Sequence, residues 1–558
     1  MKKRITTSCA ILSACALLAE PVWLATVDVD SLQTLQSGIE SFSKAAELPV
    51  PPEMLASVSS ELLKGMLPLQ SLDAAISNKD PIRIFVVGDS EASDAAPALI
   101  FTMTLSDNAK ALQDELGEAY STRRADGNVT TFSGPQPDSP LPANMLLVNV
   151  DRNKALLITS RAAHAWLQKQ TKLDAFLPIP GNQTLKVCID VKQAVNLMQD
   201  LAGGQPNPAL AMLGDIEYLS LAVNPNAQAL SISYGVRPKA GSPLAALLDT
   251  AKPLVDAALW NAIPENAFFT YIGAKPQVED SQKFIKAYLQ QDIPIDPMQV
   301  KLEKTITSEI VHYLVPTADK KSLRAISINA VKDAAAAKEL IKTLDQAEPG
   351  NGIKIKKMET RELGQQTIER YSIEFDMTAF AQQAGQGADP NLTMAGTFMA
   401  LFAKSIITEY TVKDNYLLSA TSPASATDNW IPAIPFAAPT VTLDKKLTAF
   451  DPTAKPLLGA VEFRLMPFLK HAISMVPNVK PEHINLFGAA TDAIQCWSIR
   501  TADNKTVATV RLPANEVAAL VKLGTTGQAT LQELFFTLFA GQMQQLMVPP
   551  AAVPPPNF

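Results

Sequence analysis

The stretch that most constrains this chain is Met145 to Ser160, MLLVNVDRNKALLITS, because it returns as Ile407 to Ser422, ITEYTVKDNYLLSATS. In register, Val150, Asn153, Leu156, Thr159 and Ser160 match Val412, Asn415, Leu418, Thr421 and Ser422. Each copy reads as two extended runs about a polar turn, Asp151-Arg152-Asn153 or Lys413-Asp414-Asn415, and Asn tolerates the left-handed backbone of a short hairpin turn. A lone hairpin is marginal in water, so each copy needs further strands or a helix against its apolar face. A larger module around each hairpin is therefore expected.

The order of elements around the hairpins also repeats. Ile82 to Gly88 and Ala98 to Leu105 predict strands, followed by a helix that Asp107 caps, that buries Ala109, Leu112 and Leu116, and that stops at Gly117. Beyond the first hairpin come a strand at Leu185 to Ile189, a helix through Val195, Met198 and Leu201, and strands at Ile216 to Val223 and Ala229 to Val236. Ser242-Pro243 then opens a helix. In the second copy Phe268 to Gly273 answers Ile84 to Gly88, and Leu323 to Ile328 with the helix bearing Ala337, Leu340 and Leu344 answers the next strand and helix. Leu458 to Phe463, a helix through Phe468 and Ala472, Ile494 to Ile499, Val507 to Leu512 and a helix from Asn515 to Leu523 complete it. Glu279 to Pro316, where Ile310 to Val315 fits both helix and strand periods, and a helix around Thr393 to Lys404 have no counterpart in the first copy.

The expected fold is α+β: two related modules produced by internal duplication, each an antiparallel sheet covered by helices. The modules span residues 81–262 and 263–526, after a helical segment at 20–80 broken by Pro49-Val50-Pro51-Pro52. Residues 527–558 hold an amphipathic helix, with Leu531, Leu534, Phe535, Leu538 and Phe539 on one face, and a Pro-rich tail. That helix docks on a module in the ordinary reading and meets a membrane or partner in the sharper one.

An address precedes the fold. Met1-Lys2-Lys3-Arg4 is a basic start, and Ile5 to Ala19 is an apolar stretch too short for a comfortable membrane span, so residues 1–19 read as an export signal. Ala14-Cys15-Ala16 and Ala19 offer cleavage sites. Leu12-Ser13-Ala14-Cys15 also fits a bacterial lipobox with Cys15 as the lipidated residue, although the apolar run continues past it. Ordinary cleavage is favoured, and the only membrane attachment expected is this lipid anchor. The expected location is extracytoplasmic, in the periplasm or cell envelope.

The net charge of -7 argues against a nucleic-acid partner, and the lysines of Ile353-Lys354-Ile355-Lys356-Lys357 alternate with Ile as one solvated strand face does. Outside the leader only Cys188 and Cys496 remain, each inside an expected strand at non-equivalent places, which favours two separate thiols over a disulfide. Four histidines, His164, His312, His471 and His483, are too scattered in sequence to form a ligand set. Asp89, Glu91 and Asp94, just beyond the strand ending at Gly88, are the first candidates for acid and base or for a cation, against the ordinary reading of a solvated loop. Trp166, Trp260, Trp430 and Trp497 have no spacing that gathers them into a stacking platform. Sequons begin at Asn128, Asn182, Asn391 and Asn504 and matter only where exported chains are glycosylated. No catalytic, cofactor-binding or metal residue is assigned.

The run GDIEYLSLAVNPNAQALSISYGVRPKAGSPLAALL, Gly214 to Leu248, resembles a segment of uncharacterised exported proteins of planctomycete-type bacteria, which similarly pair a strand hairpin with a Gly-Ser-Pro-Leu helix start. The resemblance runs through much of residues 80–252. It implies export and a repeat, and no activity. The expected function is an exported cell-envelope binding or structural protein without catalysis, whose partner is an envelope protein or surface ligand. An exported hydrolase built from distant residues and a carrier of an apolar ligand are the alternatives.

Overall fold

The computed structural model describes residues 22–88, 97–170, 183–195, 213–250, 254, 259–274, 277–289, 297–344, 353–375, 405–423, 429–432, 457–475, 479–488, 492–501 and 505–525, apart from 138, 152, 194 and 260. Its strands are β1 Val22–Val29, β2 Ile82–Gly88, β3 Ala98–Thr104, β4 Tyr120–Asp126, β5 Val129–Pro135, β6 Asn144–Asn149, β7 Lys154–Ile158, β8 Leu185–Asp190, β9 Ile216–Pro225 and β10 Ala229–Pro238. They continue as β11 Phe269–Ala274, β12 Ile306–Pro316, β13 Leu323–Val331, β14 Ile353–Lys357, β15 Arg361–Leu363, β16 Gln366–Phe375, β17 Ser405–Lys413, β18 Tyr416–Pro423, β19 Leu457–Phe463, β20 Ile494–Arg500 and β21 Thr506–Pro513.

These strands do not form two separate helix-covered modules; they form one antiparallel sheet. From one edge its order is β4-β5-β6-β7-β3-β2-β1-β8-β9-β10. It continues without a break as β21-β20-β19-β11-β12-β13-β18-β17-β16, and β14 and β15 both pair with β16. The expectation of two modules fails at β10 and β21. Each would end its own sheet with a row of unpaired backbone groups, and they satisfy one another in an eight-residue ladder from Ala229–Pro513 to Val236–Thr506. Counted outward from this seam, the strands follow the same order on both sides: β10, β9, β8, β1, β2, β3, β7, β6, β5 against β21, β20, β19, β11, β12, β13, β18, β17, β16.

That order shifts the expected correspondences. Residues 22–29, inside the expected helical segment, are a strand in mid-sheet, paired with β2 and β8. Phe269–Ala274 therefore stands where β1 stands, and Ile306–Pro316, which settles as a strand, stands where β2 stands. Both hairpins form, but the first turn is one residue longer: Asn149 pairs with Ala155, while Val412 pairs with Leu417. The side chains of the incoming strand are displaced by one accordingly. Val150 is 58% exposed and Val412 is buried, so their identity in sequence is not an identity of place. Asp414, rather than Asn415, takes the positive φ of 51° in the second turn. In the first, the Asp151 carboxylate accepts the Asn153 and Lys154 amides at 3.0 and 2.8 Å, which holds its pKa below the usual carboxylate value.

The helices described are α1 Leu32–Ala45, α2 Pro52–Ala56, α3 Val58–Met66, α4 Leu72–Ala75, α5 Ala109–Ala119, α6 Arg161–Lys169, α7 Pro243–Thr250, α8 Val278–Leu289, α9 Pro297–Thr305, α10 Ala334–Lys342, α11 Leu465–Ser474, α12 Pro481–Asn485 and α13 Ala514–Thr525. Ser31 caps α1 by accepting the Thr34 amide at 2.9 Å, and Ser242 caps the start of α7 by accepting the Ala245 amide at 3.0 Å. Asp107 caps nothing: α5 begins after Asn108 without a side-chain cap. On the front face of the first half, Val29, Ile84, Phe101, Leu147 and Leu157 pack beneath Leu35 of α1, Leu63 of α3, Leu72 of α4 and Leu112 of α5. On the rear face Phe85, Ile100, Leu146 and Ile158 meet Ala163 and Trp166 of α6.

The second half keeps a deep rear core, with Val311, Tyr313, Ile326, Ile328, Leu418, Trp430 and Trp497. Its front core is a smaller group at one end, where Ala337 and Ile341 of α10 cover Val331, Val412 and Leu417. The helices also tie the halves together. Phe42 and Ala46 at the end of α1 pack on Ala514 and Val517 of α13, while α8 packs on α7. Tyr288 of α8 donates to Asp215 at the foot of β9. Burial, then the hydrogen bond to Asp215 and its like charge, push the Tyr288 phenol up to about 12.

Candidate functional site

At the seam the two faces differ. Side chains of paired residues in neighbouring antiparallel strands share a face. On the rear, Cys188, Ser220, Gly235 and Val507 run in one row across β8, β9, β10 and β21, and all are buried. Ser233 and Thr509 bond across the ladder through their hydroxyls at 2.9 Å. On the front, Val187, Leu221, Tyr234, Ala508 and Ser498 form the next row, and none is buried. Tyr234 is 52% exposed and Ile189, on the same face of β8, is 36% exposed. Five strands thus present a half-open, largely apolar front strip over a closed rear.

The strip continues into the second half along a row that is polar and aromatic. Val510, Cys496, Val461, Tyr271, His312, Ser327 and Ser419 follow one another by pairing from β21 to β18, all partly exposed. The Tyr271 and His312 rings stack with centroids 5.9 Å apart, and His312 Nδ1 lies 2.5 Å from Ser327 Oγ. Burial raises the Tyr271 pKa. The corresponding row of the first half, Val27, Ile84, Phe101 and Leu157, lies in the front core beneath the helices. One strip of the fold is therefore dry and covered on one side of the seam and half-open on the other.

The residues singled out from sequence are not gathered. Asp89, Glu91, Asp94 and Trp260 lie outside the described residues, as do Cys15, the helices around Thr393 and Thr530, and the sequons at Asn182, Asn391 and Asn504. Trp166 and Trp497 are buried in different cores, and Trp430 donates to Glu409. His471 lies beside the Phe268 ring at 5.3 Å, His483 is buried on α12, and His164 is on α6. Only His312 of the four reaches the strip. Cys188 and Cys496 are both free: they point to opposite faces with β9, β10 and β21 between their strands, too far for a disulfide. Burial pushes the Cys188 thiol up to about 12 and also raises that of Cys496. Among the described residues no group of three His, Cys, Asp or Glu side chains is placed to hold a metal ion.

Two charged places escaped the sequence reading. An open depression of about 580 Å³ beside α4 is lined by Asp73, Asp80, Asp107 and Asn153, but two of its carboxylates already serve the local backbone and hydroxyls. Asp73 accepts from Ser60 Oγ at 2.7 Å and from the Ala74 amide at 2.8 Å, and Asp80 accepts from Ser77 Oγ at 2.5 Å. The second place is Glu409 on β17, buried on the rear face between Arg361 at 2.7 Å and Arg370 at 3.2 Å. In the first hairpin the same place holds the buried Leu146, so only a comparison corrected for the longer turn would have shown a carboxylate replacing a core leucine.

No helix among the described residues is long and apolar enough to cross a membrane. Compared with known protein families, with curated proteins and with solved structures, the chain matches none of them.

Proposed function

We propose that this chain is a non-catalytic binding protein of the cell envelope, exported by its first 19 residues, that engages its partner on the front strip across the seam. The observation that carries the reading is the contrast at the seam: a buried rear row beneath a front row exposing Tyr234 and Ile189. Aromatic and aliphatic side chains held on a rigid sheet lose little entropy on binding, and an exposed tyrosine is a favoured anchor. The matching strand order of the two halves supports reading them as copies of one unit, with the binding face where the copies meet. The test is co-sedimentation of the purified protein with isolated envelope membranes and with cell-wall sacculi. The wild type should sediment with one of them, and Tyr234→Glu should weaken that by about tenfold or more, the size of a modest anchor residue. Absence of sedimentation, or sedimentation indifferent to both Tyr234→Glu and Ile189→Glu, overturns the reading.

A second reading, an exported hydrolase, is favoured by one contact. A hydroxyl within 2.5 Å of an imidazole nitrogen, as Ser327 is of His312, is the first element of a nucleophile–base arrangement. A fluorophosphonate probe that labels Ser327, and fails to label Ser327→Ala, would displace the binding reading in favour of this one.

A further inference from the structure

Glu516 is the third residue of α13 and is 1% exposed, and no side chain donates to its carboxylate. The third residue of α7, which follows β10 as α13 follows β21, is Ala245, and its helix start is capped by Ser242. The acid is therefore a feature of one half only. It lies against the start of α11, which has no side-chain cap at Arg464, and the Met466 amide there favours the anion. A helix start attracts a carboxylate, whereas removal from water opposes its charge, and a buried group facing both is poised between them.

The surroundings decide which wins. Around the contact of α11 with α13 stand Met466, Leu469, Ile473, Phe487, Ala519 and Leu523. From α1 the groups packed on α13 are the apolar Phe42 and Ala46, and α12 carries the buried His483. The charged side chain acting on Glu516 is Asp492, on the segment entering β20, itself held by Asn515 Nδ2 at 2.8 Å. Its like charge adds to burial. Together they raise the Glu516 pKa to about 7, burial contributing most.

We propose that Glu516 is a proton-controlled latch: neutral, it lets α13 seat on α11 and on α1 across the seam, and ionised, it draws water into that contact and loosens both. In the unfolded chain the group titrates at an ordinary glutamate value, about 4.5, so the folded state holds the proton over the interval from there to about 7. The stabilisation is fully present below that interval and is lost as pH rises through it. α13 is one of the places where the two halves touch by helices, α1 packing on it, so the loosening reaches the seam and the strip beside it.

Hydrogen exchange followed by mass spectrometry on the full chain tests this. Peptides covering residues 465–475, 514–525 and 32–46 should lose about tenfold or more of their protection between pH 5.5 and pH 8.5, after correction for intrinsic exchange. Glu516→Gln should abolish the dependence, and Asp492→Asn, which removes the like charge, should move the midpoint to lower pH. Wild-type protection that is constant with pH overturns the latch, as does a dependence that survives Glu516→Gln or a midpoint unmoved by Asp492→Asn.

Discussion

At the scale of single residues, the buried charges carry the sharpest consequences. Glu409 is 6% exposed at its side chain and serves Arg361, Arg370 and the Trp430 indole at once. Removing it takes the shared carboxylate from Arg370, Arg361 and the Trp430 indole together, in a poorly hydrated place. Glu409→Ala should cost about 3–5 kcal/mol, the range for breaking one partner of a buried ion pair, measured by urea unfolding. Glu409→Leu, which restores the residue type found at Leu146, should cost nearly as much, because the arginines stay. A loss below about 1 kcal/mol for either variant would show the pair to be hydrated instead.

At the scale of elements, the close approach of α1 to the sheet rests on Gly38. A Cβ there would stand 2.5 Å from the Pro225 carbonyl oxygen at the end of β9, and backbone cannot step aside as a side chain can. Gly38→Ala should therefore lift α1, costing about 1–3 kcal/mol and raising exchange in residues 32–46; thermal unfolding reads the first and hydrogen exchange the second. Much at this scale was legible from alternation and turn chemistry. The two hairpins, β8 to β10 with their Ser-capped helix, and β19 to β21 all follow from local pattern. The β4–β5 ribbon was missed because SerThrArgArgAlaAsp at Ser121–Asp126 is exposed on both faces and so has no period-2 signal. β1 was missed because Val22 to Val29 follows the apolar leader after only Glu20-Pro21 and reads with the segment behind it rather than as part of a sheet. The strip at Tyr271, His312 and Ser327 was illegible for another reason: its members come from three strands and become neighbours only through register.

At the scale of the whole molecule, two modules predict two melting events and one sheet predicts one. The β10–β21 ladder, the α1–α13 contact and the Arg500 salt bridge to Asp249 at 3.0 Å all cross the seam, so neither half exposes a finished surface without the other. Differential scanning calorimetry should show a single transition with calorimetric and van't Hoff enthalpies in agreement. Two resolved transitions would return the halves to independence. Local sequence could not disclose this, since β10 and β21 each look like any half-buried strand, and their pairing spans 276 residues between Ser233 and Thr509. The outer edges are treated differently from the inner ones. β4 carries Arg123 and Arg124 and β14 carries Lys356 and Lys357, charges that discourage a further strand from joining.

The same ladder has a meaning for two chains as well as for one. Within a chain, β10 meets β21 at the high local concentration set by the tether between them, on the order of millimolar for a flexible link. Nothing in the eight residue pairs distinguishes a β21 of the same chain from that of a neighbour. Refolding at a concentration approaching that of the tether should yield an exchanged dimer with every seam contact intact, separable by size-exclusion chromatography and slow to revert, whereas dilute refolding should yield only monomer.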